Sequence, residues 1–155
     1  MAVSAPFRRL RRLGAANWRL LAEALPALVA ASIAIKLMPF RQVAASASRA
    51  GRRGDRPGDA AFLRKARWAV DAWGERVPWR AVCFQRGLAL HRMLRRRGIA
   101  SMLHYGVRQA EEEGVSAHVW VTVDGRPVIG GEEASRFACL ATFPEPPGPA
   151  GRPIG

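Results

Sequence analysis

Apolar positions keep a helical period through the first two-thirds of the chain and a strand period after that. Over residues 7–25, Leu10, Leu13, Trp18, Leu21 and Leu25 fall near one face with arginines opposite, which predicts an amphipathic helix. Pro26 is expected to kink or restart it, with a second helix reaching about Leu37 before MPFRQV turns the chain at Pro39. Residues 46–59, SASRAGRRGDRPGD, hold glycines and a proline but no large apolar side chain, and read as a dividing loop. Asp59 can cap a third helix from about Ala60 to Trp73, with Phe62, Ala66, Ala69 and Trp73 on one face. A fourth helix is expected from about Cys83 to Arg97, its last-turn arginines suiting the negative helix end and Gly98 closing it.

After Gly98 the pattern alternates. In SMLHYGVR and SAHVWVTVDG every second side chain is of one kind, and Asp124-Gly125 is a hairpin signal leading into RPVIG. RFACLATF, residues 136–143, adds a fourth short strand. The fold class is therefore α+β, helices first and a small antiparallel sheet after. The organisation predicted is a basic helical region over 1–45 packed on or docking to the core, a linker over 46–59, a core over 60–145 and a disordered tail over 146–155.

Charge sharpens this only in part. Lys and Arg number 25 against 12 Asp and Glu, for a net charge of +13, and the excess lies mainly in the first third. That asymmetry suits an anionic surface, and equally reflects an arginine-rich composition in which Lys36 and Lys65 are the only lysines. A nucleic-acid or anionic-membrane module with an inert cysteine is thus an alternative, although basic motifs with regular aromatics and zinc spacings are missing, and no nucleic acid is expected. Two cysteines are too few for a disulfide framework, which points to a reducing cytoplasm. The uncharged run ALPALVAASIAI, residues 24–35, is too short to span a bilayer core, which needs about 20 residues. Trp18, Arg19, Glu23 and Lys36 around it argue against a signal peptide, leaving a buried or interfacial helix.

Cys83 opens its helix, where unpaired backbone N–H groups and the positive dipole end favour a thiolate in general; buried cysteines are also common as small hydrophobes. A base is supplied by His118. On its strand Ala117, Val119, Val121 and Val123 form the inward side, so His118 and Trp120 face the other way, and the sulfur meets the imidazole if the Cys83 helix covers that side. Gly87, one turn after Cys83, lets helix and strand approach closely. His91 is expected on the outer helix surface, and His104 on a strand that could line a substrate groove.

The block PWRAVCFQRGLALHRMLRRRGIASMLHYGVR followed by AHVWVTVDGRPVIG, and more weakly NWRLLAEAL and KLMPFRQV, resembles the lasso-peptide leader peptidases of the transglutaminase-like cysteine protease superfamily. The resemblance implies a papain-like helix and sheet and a Cys-His-Asp triad that cuts the leader from a ribosomally made precursor, without cofactor or metal. It implies as partners the precursor, a separate leader-recognition protein and a ring-forming, asparagine-synthetase-like cyclase. Cys83 matches the nucleophile and His118 the base. The acid departs: by counting, the aspartate's place falls at Gly130 or Gly131, while a three-residue hairpin loop, Asp124 to Arg126, would set Glu132 opposite His118 to orient the imidazole. The backbone N–H of Cys83 with a second donor near Trp79 or Gln85 would hold the oxyanion, and Trp120 is a candidate substrate contact. Residues 7–40 are a candidate docking surface for a partner or a membrane surface. The same Cys-His pair could also serve acyl transfer.

Overall fold

A computed structural model describes residues 14–49, 57–110 and 114–145. The start of the expected first helix, the middle of the linker and the expected tail lie outside the described residues. Four helices precede a four-stranded sheet: α1 (Ala15–Leu37), α2 (Phe40–Arg49), α3 (Ala60–Gly74), α4 (Cys83–Arg96), then β1 (Ser101–Ala110), β2 (Gly114–Val123), β3 (Arg126–Ile129) and β4 (Ala138–Phe143), with one 3-10 turn at Ala134–Arg136. All pairings are antiparallel, in the order β3-β2-β1-β4. This is the α+β architecture the change of period announces.

Helix α1 runs through Pro26 without a restart, where a kink or a restart was expected. Proline removes one intrahelical bond. Here it sits on the exposed side, while Leu20, Leu21 and Ala24 before it and Ala27, Leu28, Ala31 and Ala34 after it are buried, holding both halves on the core. The helix packs on α3 and α4, and Trp73 Nε1 donates to Leu21 O at 2.9 Å. From the same helix Glu23 binds Arg97 through both carboxylate oxygens, and the Arg97 guanidinium lies over the Phe62 ring. At 23 residues, with mean hydropathy 1.8 over an 18-residue window, α1 is by length and composition able to cross a membrane, so the uncharged run understated it.

Pro39 starts a helix where only a turn was expected. Its carbonyl accepts from Gln42 N and Val43 N, and α2 extends to Arg49, into what reads as linker. This helix covers His91, which is fully buried rather than on the surface: Nε2 donates to Ala47 O at 3.0 Å and Nδ1 accepts from the Ser101 hydroxyl at 2.9 Å. Burial, opposed by the Ala47 bond and aided by the charges of Arg95 and Arg92, lowers its pKa to about 4.

Asp59 caps α3 by accepting from Ala61 N and Phe62 N. Gly98, at φ +74°, follows α4 as expected. The β2–β3 hairpin turns on two residues, Asp124 (φ +49°) and Gly125 (φ +73°), not three, because both central residues adopt the left-handed conformation that matches strand twist. Val123 therefore pairs with Arg126, and an irregularity between Val121 and Thr122 brings Val121 opposite Ile129.

Helix α4 covers the valine face of the sheet. A Cβ on Gly87 would lie 2.8 Å from Val119 Cγ1, and Leu103, Val119, Val121 and Val123 are buried there. The opposite face, carrying His118 and Trp120, is covered instead by Phe137: a Cβ on Gly106 would lie 2.8 Å from Trp120 Cζ3 and 3.0 Å from Phe137 Cβ. The condition set for Cys83 and His118 to meet, that the Cys83 helix lie on the histidine side, is thus not fulfilled, because the aliphatic side chains draw the helix to their own face.

Candidate active site

Cys83 is the first residue of α4. Val82 before it has no polar side chain, so no side chain caps the first-turn amides; Gln85 Oε1 reaches back to accept from Val82 N at 3.1 Å. The half-buried cysteine opens on a groove of about 370 Å³ between α3, α4 and the β2–β3 end of the sheet. Arg67, Asp71 and Glu75 form one wall, Arg86 projects from the sulfur's own helix, and Val119, Ile129 and Gly130 close the other side. The charged wall is internally paired. Asp71 accepts from Arg86 Nη1 and from Arg67 Nε, each at 3.3 Å, and Arg67 Nη2 donates to Glu132 Oε1 at 2.6 Å. Arg86 Nε donates to Ala81 O at 2.9 Å, its guanidinium lying where a Cβ on Gly74 would have to stand.

His118 is buried on β2, its ring packed by Phe137 at 5.0 Å and Trp120 at 6.1 Å between centroids. Its Nε2 lies 2.7 Å from Gly130 O. A carbonyl only accepts, so the proton sits on Nε2 and Nδ1 is the basic nitrogen of the neutral ring. Gly130 is thus common to both residues: it lines the sulfur's groove and anchors the imidazole. The ring itself is not among the residues lining that groove.

Four other sequence-based site residues have these surroundings. Glu132 does not orient the imidazole: β3 ends at Ile129, Gly130 turns away at φ +74°, and the Glu132 carboxylate goes to Arg67. The carboxyl is held below its usual range by its own backbone N–H and by Arg67, with His118 a weaker influence. Trp79 spends its indole N–H on Ser32 Oγ at 3.0 Å. Gln85 turns to Val82 and does not line the groove. Trp120 stacks between His104 and His118 on the face away from α4. The His104 nitrogens meet Thr142 Oγ1 at 3.1 Å and Thr122 Oγ1 at 2.8 Å, and burial lowers its pKa.

What sequence reasoning missed is the backbone acceptor at Gly130 and the Arg67-Asp71-Arg86 wall. The glycine pair at 130–131 was the available signal for the first; the second brings together α3 and α4 and carries no local signature.

A helix opened by cysteine, packed on an antiparallel sheet that carries a buried histidine, is the arrangement of one large group of thiol enzymes. A family model described as transglutaminase-like superfamily matches residues 25–142, and the chain belongs to that superfamily. It includes cysteine proteases and acyltransferases, typically cysteine-dependent enzymes. No curated protein and no solved structure matches the chain significantly.

Proposed function

We propose that the chain is a cysteine peptidase that removes the leader from a ribosomally synthesised lasso-peptide precursor in the cytoplasm. It would act with a separate leader-recognition protein and a ring-forming synthetase. The observation that carries the reading is Gly130, which walls the groove of Cys83 while its carbonyl fixes the tautomer of His118. With the proton on Nε2, Nδ1 is the basic nitrogen; because the ring lies on the sheet face away from α4, the proposed transfer of the thiol proton requires the imidazole to come round to the groove side when substrate binds.

In the reaction, the Cys83 sulfur attacks the scissile carbonyl of an extended peptide, and the Cys83 backbone N–H steadies the developing oxyanion. The imidazolium of His118 returns its proton to the leaving amine, which departs and leaves a thioester. His118 then takes a proton from water, and the resulting hydroxide frees the acid and restores the thiol. The chemistry calls for no cofactor.

The test is mass spectrometry of a lasso precursor incubated with this protein and a leader-recognition partner. Wild type yields free leader, Cys83→Ala yields none, and His118→Gln, which keeps a donor for Gly130 O but has no base, also yields none with an unchanged melting curve. Full cleavage by either variant refutes the mechanism. A product captured by added amine in place of the free acid assigns the pair to acyl transfer.

A further inference from the structure

Helix α1 is apolar on both sides, and only one side is used by the core. Trp18, Ala22, Pro26, Ala30, Ile33 and Leu37 follow helical spacing along a single exposed face. Trp18, Ile33 and Leu37 are 49%, 51% and 74% exposed. A soluble helix of this kind ordinarily presents charge to water. Here the exposed charges are Arg19, Lys36 and Arg41, at the ends of the stripe, and the helix's one acid, Glu23, is turned to Arg97. At the amino-terminal end Trp18 lines a cavity of about 420 Å³ with Trp68 and Trp73 of α3, and Trp68 is itself exposed. The sequence just before α1 adds Arg8, Arg9, Arg11 and Arg12.

We infer that the outer face of α1 is an in-plane binding surface for an anionic lipid bilayer. The apolar stripe supplies burial among acyl chains, chiefly through its larger members Trp18, Ile33 and Leu37; exposed tryptophans suit the interfacial depth, and the flanking cations meet headgroup phosphates. The helix does not cross the bilayer, because its other face, from Leu20 to Ala34, is buried on α3 and α4. Charge decides between a lipid surface and a second copy of this chain: two copies would bring like cations together at both ends of the stripe, whereas an anionic surface neutralises them. The inference does not depend on the peptidase reading.

The test is co-flotation of the full chain with vesicles of phosphatidylcholine plus phosphatidylglycerol, against phosphatidylcholine alone. Wild type floats with the anionic vesicles and is released by high salt. Ile33→Glu with Leu37→Glu weakens partitioning by at least about tenfold. Arg19→Glu with Lys36→Glu weakens it by about fivefold or more. Val115→Glu, at an exposed apolar position of the sheet, leaves it unchanged. Circular dichroism verifies that each variant is folded. Wild type remaining in solution overturns the inference. So does equal flotation of the Ile33 and Leu37 variant, which would transfer binding to the basic segment alone. A dimer in sedimentation that this variant dissolves, without lipid binding, assigns the face to a second copy and equally overturns it.

Discussion

Gly87 of α4 and Val119 of β2 are in such close contact that a methyl group on the glycine would stand 2.8 Å from Val119 Cγ1. Their contact selects which face of the sheet the cysteine helix covers, and a stiff β-branched side chain cannot step aside cheaply. Gly87→Ala gains up to about 1 kcal/mol of helix propensity and loses about 1 to 3 kcal/mol to overpacking. The net expectation is a loss of about 1 kcal/mol in denaturant unfolding. Adding Val119→Ala to Gly87→Ala makes room for the methyl, so the double-mutant cycle should show positive coupling; strict additivity would mean that the close approach carries no energetic weight.

At Gly130 two penalties add. Its φ of +74° costs an L-residue about 1 to 2 kcal/mol, and a Cβ would lie 2.6 Å from Val119 O, a backbone atom with no rotamer to change. Gly130→Ala is expected to destabilise by more than about 2 kcal/mol. It should also displace the acceptor of His118, visible as a change in the ring's nitrogen NMR shifts. A normal melt with unaltered shifts would contradict the geometry.

His91 makes stability depend on acidity. Unfolded, the ring titrates near its ordinary value of 6.5; folded, near about 4. The unfolded state therefore binds more protons between these values. This contribution is complete above pH 6.5 and is lost as pH falls through 4, an amount of about 3 kcal/mol at most. His91→Gln, which keeps a donor for Ala47 O, should flatten that part of the stability profile, as measured by urea unfolding at stepped pH. An identical slope in both proteins would locate the sensitivity elsewhere.

Glu132 serves Arg67, so Glu132→Gln should change precursor cleavage by no more than about threefold, whereas loss of a true triad acid costs about 10⁴-fold in other enzymes. Steady-state kinetics of the purified variant decides. A collapse of kcat would return Glu132 to the catalytic group.

Arg97 holds Glu23 with two nitrogens and covers Phe62, tying α4's end to α1 and α3. Arg97→Lys keeps the charge but not the fork or the flat contact, and is expected to cost about 1 kcal/mol in thermal or urea unfolding. No change would show that the charge alone matters.

Local signals reached the elements whose cause is local. Asp59 announced a helix start, Gly98 a helix end, Asp124-Gly125 a hairpin, and the alternation of β1 and β2 a sheet. They failed where neighbours decide. Pro26 reads as a kink or restart, yet burial on both sides carries the helix past it. Residues 46–49 read as linker, yet Val43 and Ala47 are buried and extend α2 over His91. Cys83 and His118 were singled out by residue type and place. The acid was not, because a hairpin one residue shorter and a strand that stops at Ile129 replace a side-chain partner with a peptide carbonyl, which leaves no trace in residue chemistry.

That replacement has a lasting effect on how the imidazole is governed. A carboxylate can be protonated, mutated away or drawn off by a passing cation; an amide oxygen carries no full charge and is lost only when the turn that carries it is displaced, as Gly130→Ala is expected to do. The ring of His118 is thus held by the path of the main chain, and its hold is as durable as the turn itself.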